Sequence, residues 1–223
     1  VRLAGVNSIN WARVLAQAVY YFSSAVTLGA PARQVSFTVP TGNFGDIFAG
    51  FIAKRMGLPI DKLIVATNQN DILHRCLTQG AYKTSGVLPS ISPSMDIQVS
   101  SNFERLLFEA YGRDGAAVSG LMAALKAEGG FSLSQGDLEM LQRDFQSGRC
   151  SEEQTRAQIE QTLKGSGELL CPHSAIGVHV AEQQIQPETP MITLATAHPA
   201  KFPDAVQSAT GLRPDLPPHM ADL

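Results

Sequence analysis

Residues 41–46 (Thr-Gly-Asn-Phe-Gly-Asp) form the segment whose residue types most directly suggest chemistry. The segment joins an apolar, β-rich run at residues 34–40 to a helical pattern that starts near Asp46. Gly42 and Gly45 permit a close backbone approach that a side chain would block, and successive N–H groups at a helix N-terminus attract a phosphate. The lysine of a Walker loop and the third glycine of the dinucleotide fingerprint are absent from it. The segment therefore indicates either a phosphate cradle or a tight turn, with neither favoured.

Asp46 lies beside this segment, where a carboxylate has an ordinary structural explanation. A negative charge at a helix start is favoured by the helix dipole, whereas a phosphate dianion would be repelled by it. We therefore expect Asp46 to be a structural residue and not a ligand.

Two other segments place polar groups where a ligand would bind. Residues 196–202 follow an apolar run at 190–196 that is typical of a buried strand, and ligands of open α/β sheets bind at the carboxyl ends of strands. Thr196, His198 and Lys201 emerge there, although spacing alone favours ordinary surface polarity for the last two. Residues 7–13 surround a helix start with amides, a hydroxyl and a guanidinium, which suit an anion or a simple helix cap with a surface arginine.

The surrounding elements alternate between helices and strands in the first part of the chain. Helical patterns at residues 10–24, 46–56 and 71–78 are separated by apolar strand patterns at 34–40 and 62–67. Short connections between such elements are typical of a parallel α/β sheet. We therefore predict the α/β class, with a mostly parallel sheet flanked by helices.

The middle of the sequence differs in character. Four helical patterns follow one another at residues 103–111, 118–127, 138–145 and 152–163, with no strand candidate between them. The α/β pattern then returns with a helix at 175–184, the strand at 190–196 and a helix at 204–210. We predict four parts, listed in order as the first part of an α/β domain at 1–100, a helical insertion at 101–167, the rest of that domain at 168–212, and a loose tail at 213–223.

Composition excludes several classes of protein. Seventeen Lys and Arg against twenty Asp and Glu give a net charge of -3, without the basic surface of a nucleic-acid-binding protein. No apolar run approaches the ~18 residues of a membrane span. The three cysteines and five histidines have spacings that indicate neither a disulfide framework nor a metal site. A reducing, cytoplasmic setting fits the cysteines best.

Six segments resemble threonine synthase, in the order found in that family. They are Asn-Ser-Ile-Asn-Trp-Ala-Arg at residues 7–13, Pro-Thr-Gly-Asn-Phe-Gly-Asp at 40–46, Ala-Thr-Asn-Gln-Asn-Asp at 66–71, Ser-Pro-Ser-Met-Asp-Ile at 92–97, Ser-Asn-Phe-Glu-Arg at 101–105 and Thr-Ala-His-Pro-Ala-Lys-Phe at 196–202. Residues 172–177 also resemble the family, which more often has an acidic residue where Cys171 stands. That departure affects a local hydrogen bond.

The resemblance implies a fold-type-II domain that binds pyridoxal 5′-phosphate. The implied reaction converts O-phosphohomoserine and water to L-threonine and phosphate by γ-elimination and β-hydration, with the pyridine ring as an electron sink. The family's phosphate cradle maps onto Gly42, Asn43, Phe44 and Gly45, and the hydroxyl that faces the pyridine nitrogen maps onto Thr196. Weaker candidates for the substrate's phosphate are Asn7, Ser8, Asn10 and Arg13.

One functional group of that family is not matched. The chemistry needs a lysine that holds the cofactor as a Schiff base, and Lys201, in the run at 196–202, is not that residue in the family. The resemblance places the catalytic lysine upstream of Val1, so that we expect no catalytic residue here. We expect this chain to be the C-terminal part of the enzyme, inactive alone, with the missing N-terminal half and O-phosphohomoserine as its partners.

Two alternatives stay open. One is a non-catalytic phosphate-binding or regulatory module that reuses this domain. The other is another fold-type-II lyase, such as a dehydratase or a cysteine synthase, against which residues 7–10 and 196–201 resemble threonine synthase more closely.

Overall fold

The computed structural model describes residues 5 and 7–220. In chain order, the elements are α1 (Trp11–Thr27), β1 (Val35–Pro40), α2 (Gly45–Arg55), β2 (Ile60–Thr67), α3 (Ile72–Gln79), β3 (Ala81–Lys83), α4 (Phe103–Ala110), α5 (Gly115–Glu128), β4 (Gly130–Ser132), α6 (Gln135–Asp144), β5 (Phe145–Arg149), α7 (Glu152–Ser166), α8 (Pro172–Glu182), β6 (Met191–Thr193) and α9 (Pro203–Thr210).

A four-stranded sheet with the order β5-β2-β1-β6 forms the centre of the fold. All three pairings are parallel, so that Phe37 of β1 lies opposite Leu63 of β2 on one side and Ile192 of β6 on the other. Every residue of β1 is buried, which is the mark of a parallel strand covered on both faces. The predicted α/β class is confirmed.

The two faces of the sheet have separate cores. Successive side chains of a strand point to opposite faces, and in β2 Leu63 and Val65 join the large cluster that includes Tyr21 of α1 and residues of α2. On the other face, Ile64 packs with Val180 of α8 in a smaller cluster. The sheet is therefore sandwiched between helices, and the carboxyl ends of its strands are left to form a site.

The expectation that no strand lies between residues 101 and 167 was wrong. β4 pairs antiparallel with β3, and β5 pairs with β2 from Phe145 opposite Leu63 to Arg149 opposite Thr67. The sequence of β5 is Phe-Gln-Ser-Gly-Arg, in which only Phe145 and Gly148 are buried, because an edge strand needs no continuous apolar run. The predicted helices are present as α4 to α7. The four-part division stays a prediction, and β5 ties its second part directly to the main sheet.

The C-terminal residues that the structure describes contain little regular structure. Residues 213–220 include one 3₁₀ turn, Pro218–Met220, and residues 221–223 of the predicted tail lie outside the described residues. Across the described ranges, no helix has both the length and the apolar character required to cross a membrane.

Candidate functional site

A cavity of about 1200 Å³ lies where β1 and β6 end, beside α1 and the start of α2. It gathers eight of the residues singled out from the sequence, which are Asn7, Ser8, Arg13, Gly42, Asn43, Phe44, Gly45 and Thr196. The three segments are far apart in the sequence and meet here because the carboxyl ends of parallel strands share one edge of the sheet.

Three other polar residues of those segments do not line the cavity. Asn10 caps α1, with its Oδ1 accepting the Ala12 N–H at 3.0 Å. His198 accepts the Ala200 N–H at 3.2 Å through Nδ1, and the Lys201 ammonium lies 5.8 Å from the centre of the Phe202 ring. For His198 and Lys201, this is the ordinary surface role that their spacing favoured.

The loop between β1 and α2 presents backbone donors because of the conformation of Phe44. Its φ of 63° lies in the left-handed region, which is unusual for a residue other than glycine. The ring of Phe44 is buried, with its centre 5.2 Å from that of Phe103 and 5.7 Å from that of Phe145, and this packing holds the turn. Phe44 therefore contributes a backbone N–H to the cavity, while its side chain anchors the loop in the core.

The carbonyl groups of this loop are tied to the segment that precedes α4. Ser100 Oγ donates to the Gly42 oxygen at 2.8 Å, and Asn102 Nδ2 donates to the Asn43 oxygen at 2.9 Å. The C=O and N–H of a planar trans peptide point in opposite directions, so the N–H groups of Asn43 and Phe44 point away from Ser100 and Asn102. Together with the free N–H groups that begin any helix, they make residues 41–46, called the glycine turn below, a cluster of backbone donors at the start of α2, the kind of position that suits an anion.

Both glycines of the turn are required by close packing. A Cβ atom on Gly42 would lie 2.4 Å from the carbonyl oxygen of Ser94. One on Gly45 would lie 2.4 Å from the Cβ of Ser8. The two glycines therefore bring the segments at residues 7–13 and 92–97 into contact with the turn.

Thr196 lines the same cavity and belongs to a small polar cluster. Its N–H donates to Ser174 Oγ at 3.0 Å, and its hydroxyl lies 3.4 Å from Ser174 Oγ and 3.5 Å from Cys171 Sγ. Cys171 caps α8 through its sulfur, which accepts the Ser174 N–H at 3.4 Å. At this position, where the family more often has an acidic residue, the local hydrogen bond is therefore made by the sulfur of Cys171.

One face of α1 supplies cavity residues that the sequence reasoning missed. They are Gln17, Tyr20, Ser23, Ser24 and Thr27. With Arg13, they follow one another at helical spacing, and this polar stripe was visible beside the apolar one that predicted the helix. The stripe lines the cavity with hydrogen-bonding groups beside the start of α2.

Asp46 is held by two tyrosines of α1. Tyr20 Oη donates to Asp46 Oδ1 at 2.5 Å, and Tyr21 Oη donates to the same oxygen at 3.1 Å. Burial raises the pKa of the Asp46 carboxyl, and the hydrogen bonds from the two tyrosines and the charge of Arg13 oppose that rise. Asp46 lines the cavity, yet its carboxylate is engaged with α1, in agreement with the structural role expected for it.

The raised pKa of Asp46 predicts a pH dependence of stability. The folded protein holds this proton more tightly than the unfolded chain, so this contribution to stability is complete below the ordinary pKa near 3.8 and is lost as pH rises through the higher pKa of the folded state. We expect Asp46→Asn, whose oxygen still accepts from both tyrosines, to remove that loss. Chemical denaturation at a series of pH values measures it.

A matched control for this prediction is Asp204→Asn. Asp204 is also in the first turn of a helix, but its side chain is 90% exposed and pairs with Arg213 at the surface. We expect the control to keep the wild-type loss of stability on going from acid to neutral pH. An unchanged loss in Asp46→Asn would assign it to another group.

Metal binding finds no support in the part of the chain that the structure describes. Within residues 5 and 7–220, no group of three or more His, Cys, Asp or Glu side chains is arranged to hold an ion. The donors in the cavity are amides, hydroxyls and one guanidinium, which suit an anionic organic ligand.

A parallel sheet, a cavity at the carboxyl ends of its strands and a turn of backbone donors at a helix start define an α/β domain of the class that binds ligands at this edge of the sheet. A family model described as threonine synthase, C-terminal, matches residues 174–223. Threonine synthase from Pseudomonas aeruginosa is 55% identical over 224 residues, which cover 100% of this chain and 48% of that protein.

Solved structures show the same similarity. The PLP-bound threonine synthase from Brucella melitensis is 62% identical with a TM-score of 0.96, covering 99% of this chain and 47% of that one. Threonine synthase from yeast is 45% identical with a TM-score of 0.85, covering 92% of this chain and 44% of that one. The resemblance to threonine synthase is confirmed. The chain aligns with the C-terminal part of these proteins and spans about half of their length.

Proposed function

We propose that this chain is the C-terminal part of a threonine synthase. The whole protein would convert O-phosphohomoserine and water to L-threonine and phosphate with pyridoxal 5′-phosphate. The observation that carries the proposal is the single cavity that joins the glycine turn to Thr196, in a chain 62% identical to a threonine synthase whose structure is PLP-bound.

The residues that line the cavity fit this cofactor. The N–H groups of Gly42, Asn43, Phe44 and Gly45 would hold its phosphate, since the turn offers backbone donors and no side chain between Gly42 and Ser94. The hydroxyl of Thr196, in the segment that follows β6, would meet the pyridine nitrogen. When bound, the cofactor supplies an electron sink for a carbanion of the substrate.

The start of α1 suits the phosphate of the substrate. Asn7, Ser8 and Arg13 line the same cavity as the glycine turn, and a guanidinium with neutral donors is a strong phosphate ligand. Asn10 would act by fixing this turn, because its N–H donates to the Asn7 oxygen at 3.0 Å while its side chain caps the helix.

The Schiff-base lysine would come from the N-terminal half of the whole protein. The described residues include all six lysines of the sequence, and none of them lines the cavity. α1 also exposes Trp11, Leu15 and Val19 by 45%, 49% and 66%, a row of apolar side chains that another part of the protein would cover. We propose that this surface contacts the N-terminal half.

The experiment compares this chain alone with the whole protein. We expect the chain alone to give no turnover and to bind pyridoxal 5′-phosphate weakly in an absorbance titration, without a stable Schiff-base band in the visible range. The whole protein should show both turnover and the band. Turnover by the chain alone at a rate comparable with the whole protein would contradict the proposal.

The absence of a lysine among the described cavity residues favours one rival, a non-catalytic phosphate-binding module. Calorimetric titration of the whole protein with inorganic phosphate and with pyridoxal 5′-phosphate separates the two. Equal affinity for both ligands, with no turnover, would favour the module, whereas tighter binding of the cofactor favours the enzyme. The three cysteines are all free, which is consistent with the cytoplasmic location that we propose in either case.

A further inference from the structure

Cys171 lies directly behind Thr196 and is 1% exposed. Its sulfur is approached by three groups that carry a hydrogen, which are the Ser174 N–H at 3.4 Å, the Ser174 hydroxyl at 3.3 Å and the Thr196 hydroxyl at 3.5 Å. The Ser174 N–H can only donate, whereas either atom can be the donor in the two hydroxyl contacts. A neutral thiol is a weak acceptor, so an arrangement in which all three groups donate to one sulfur is better matched to a thiolate at the N-terminus of a helix.

The Ser174 hydroxyl has its donor role fixed by the backbone. Ser174 Oγ accepts the Thr196 N–H at 3.0 Å. Its own hydrogen is therefore directed either to Cys171 Sγ or to Thr196 Oγ1, which lie at 3.3 Å and 3.4 Å. The charge on the sulfur decides between them, because an anion attracts the hydrogen of each neighbouring hydroxyl.

Among the described residues, His173 is the titratable side chain that acts on the Cys171 thiol. Its Nε2 accepts the Ser94 N–H at 3.2 Å, so the neutral ring carries its proton on Nδ1. Nδ1 is buried, and within the described residues no acceptor lies at hydrogen-bonding geometry from it. The partial positive charge of this N–H group therefore acts on the sulfur. Burial acts to raise the pKa of the Cys171 thiol. This effect is outweighed by His173, the two hydroxyls and the Ser174 amide, so that the pKa is lowered to about 6.

We propose that Cys171 is a thiolate that sets the direction of the Thr196 hydroxyl. An anionic sulfur accepts the Thr196 hydrogen at the 3.5 Å contact, and Thr196 then presents only lone pairs to the cavity. A ligand atom held there must donate, so Thr196 would hold a pyridine nitrogen that carries a proton. This inference rests on the proposed function, in which Thr196 faces that ring, and it makes Cys171 a positioning residue.

A neutral thiol would have the opposite effect. Its hydrogen would be donated to one of the hydroxyls, and Thr196 would be free to donate to the cavity. A pyridine nitrogen without a proton would then be the matching partner. The two states of the sulfur therefore predict different protonation of the bound ring.

The test uses the whole protein loaded with pyridoxal 5′-phosphate labelled with ¹⁵N in the ring. We expect the nitrogen resonance at the position of a protonated pyridine in the unmodified protein. In Cys171→Ser, whose neutral hydroxyl can donate to Thr196, it should shift toward that of an unprotonated pyridine. Cys171→Asp restores an anionic acceptor and should return the resonance to its original position. An identical resonance in the unmodified protein and Cys171→Ser would overturn the proposal.

A second measurement compares the cofactor-free whole protein with its Cys171→Ser variant. The ultraviolet band of thiolates should lose one equivalent that titrates near pH 6 in the variant, whereas burial raises the pKa of Cys76 to about 12 and that of Cys150 to about 11. A fully protonated Cys171 at neutral pH would overturn the inference. If Cys171 is a thiolate but the whole protein does not bind the cofactor, the proposed function is refuted while the charge assigned to Cys171 is supported.

Discussion

Replacing Gly42 with alanine is expected to abolish binding of pyridoxal 5′-phosphate to the whole protein. The added Cβ would lie 2.4 Å from the Ser94 carbonyl oxygen and 3.6 Å from the Met95 Cα. Both of these are backbone atoms, so relief requires movement of the glycine turn or of the segment at 92–97. Overpacking of this kind costs about 1–3 kcal/mol of stability, and movement of the turn removes the donors that hold phosphate.

The segment at residues 92–97 is poorly able to give way. Asp96 Oδ1 accepts from the Asn68 amide at 2.7 Å, the Asn70 amide at 2.9 Å and the Ser90 hydroxyl at 2.7 Å, and its Oδ2 accepts the Ser90 N–H at 2.8 Å. This network attaches the segment to the end of β2. The turn is therefore the part that would move.

The matched control for Gly42→Ala is Gly120→Ala. Gly120 lies within α5 with nothing within 4 Å of an added Cβ, so alanine there should leave cofactor binding unchanged and stabilise the helix by about 0.5–1 kcal/mol. Absorbance titration with the cofactor and thermal unfolding measure both effects. Equal cofactor affinity in the two variants would show that the glycine turn does not hold the phosphate.

The sequence located the turn and Thr196 because both depend on local signals. Two glycines directly after an apolar strand and before a helical pattern indicate a close approach of backbone to ligand, and a hydroxyl at a strand end lies where ligands of α/β sheets bind. These rules also predicted the parallel sheet, since β1 is rich in β-branched and aromatic residues and β2 contains the apolar run Leu-Ile-Val-Ala. The meeting of the two segments in one cavity then follows from the topology.

The features that were missed depend on contacts between distant residues. β5 is short and mostly polar, and its place beside β2 is set by Phe145 and Gly148 in the two cores. The role of Cys171 depends on Ser174 and on Thr196, which is distant in sequence. No spacing pattern in the sequence predicts that role. The apolar periodicity of α1 predicted the helix. The function of its polar stripe could not be predicted, because it depends on the position of α1 beside the glycine turn.

Gly148→Ala is expected to destabilise the protein by about 1–3 kcal/mol, and it tests the strand that the sequence did not reveal. An added Cβ would lie 2.5 Å from Val180 Cγ1 and 3.0 Å from its Cγ2. Val180 is 0% exposed in the core beneath α8, and its branched side chain has no flexible end that could swing away. Either β5 must separate from β2 or α8 must move off the sheet.

The effect of Gly148→Ala is best measured as a change in Tm against Gly165→Ala. Gly165 lies in α7 with open space around an added Cβ, so alanine there should be neutral or slightly stabilising. For a domain of this size, each kcal/mol lowers Tm by about 2–4 °C. If the two variants unfold at the same temperature, β5 does not lie against α8. A selective loss in Gly148→Ala would instead show that residues 145–149 belong to the main sheet, and that the segment around them supports the fold that positions the site.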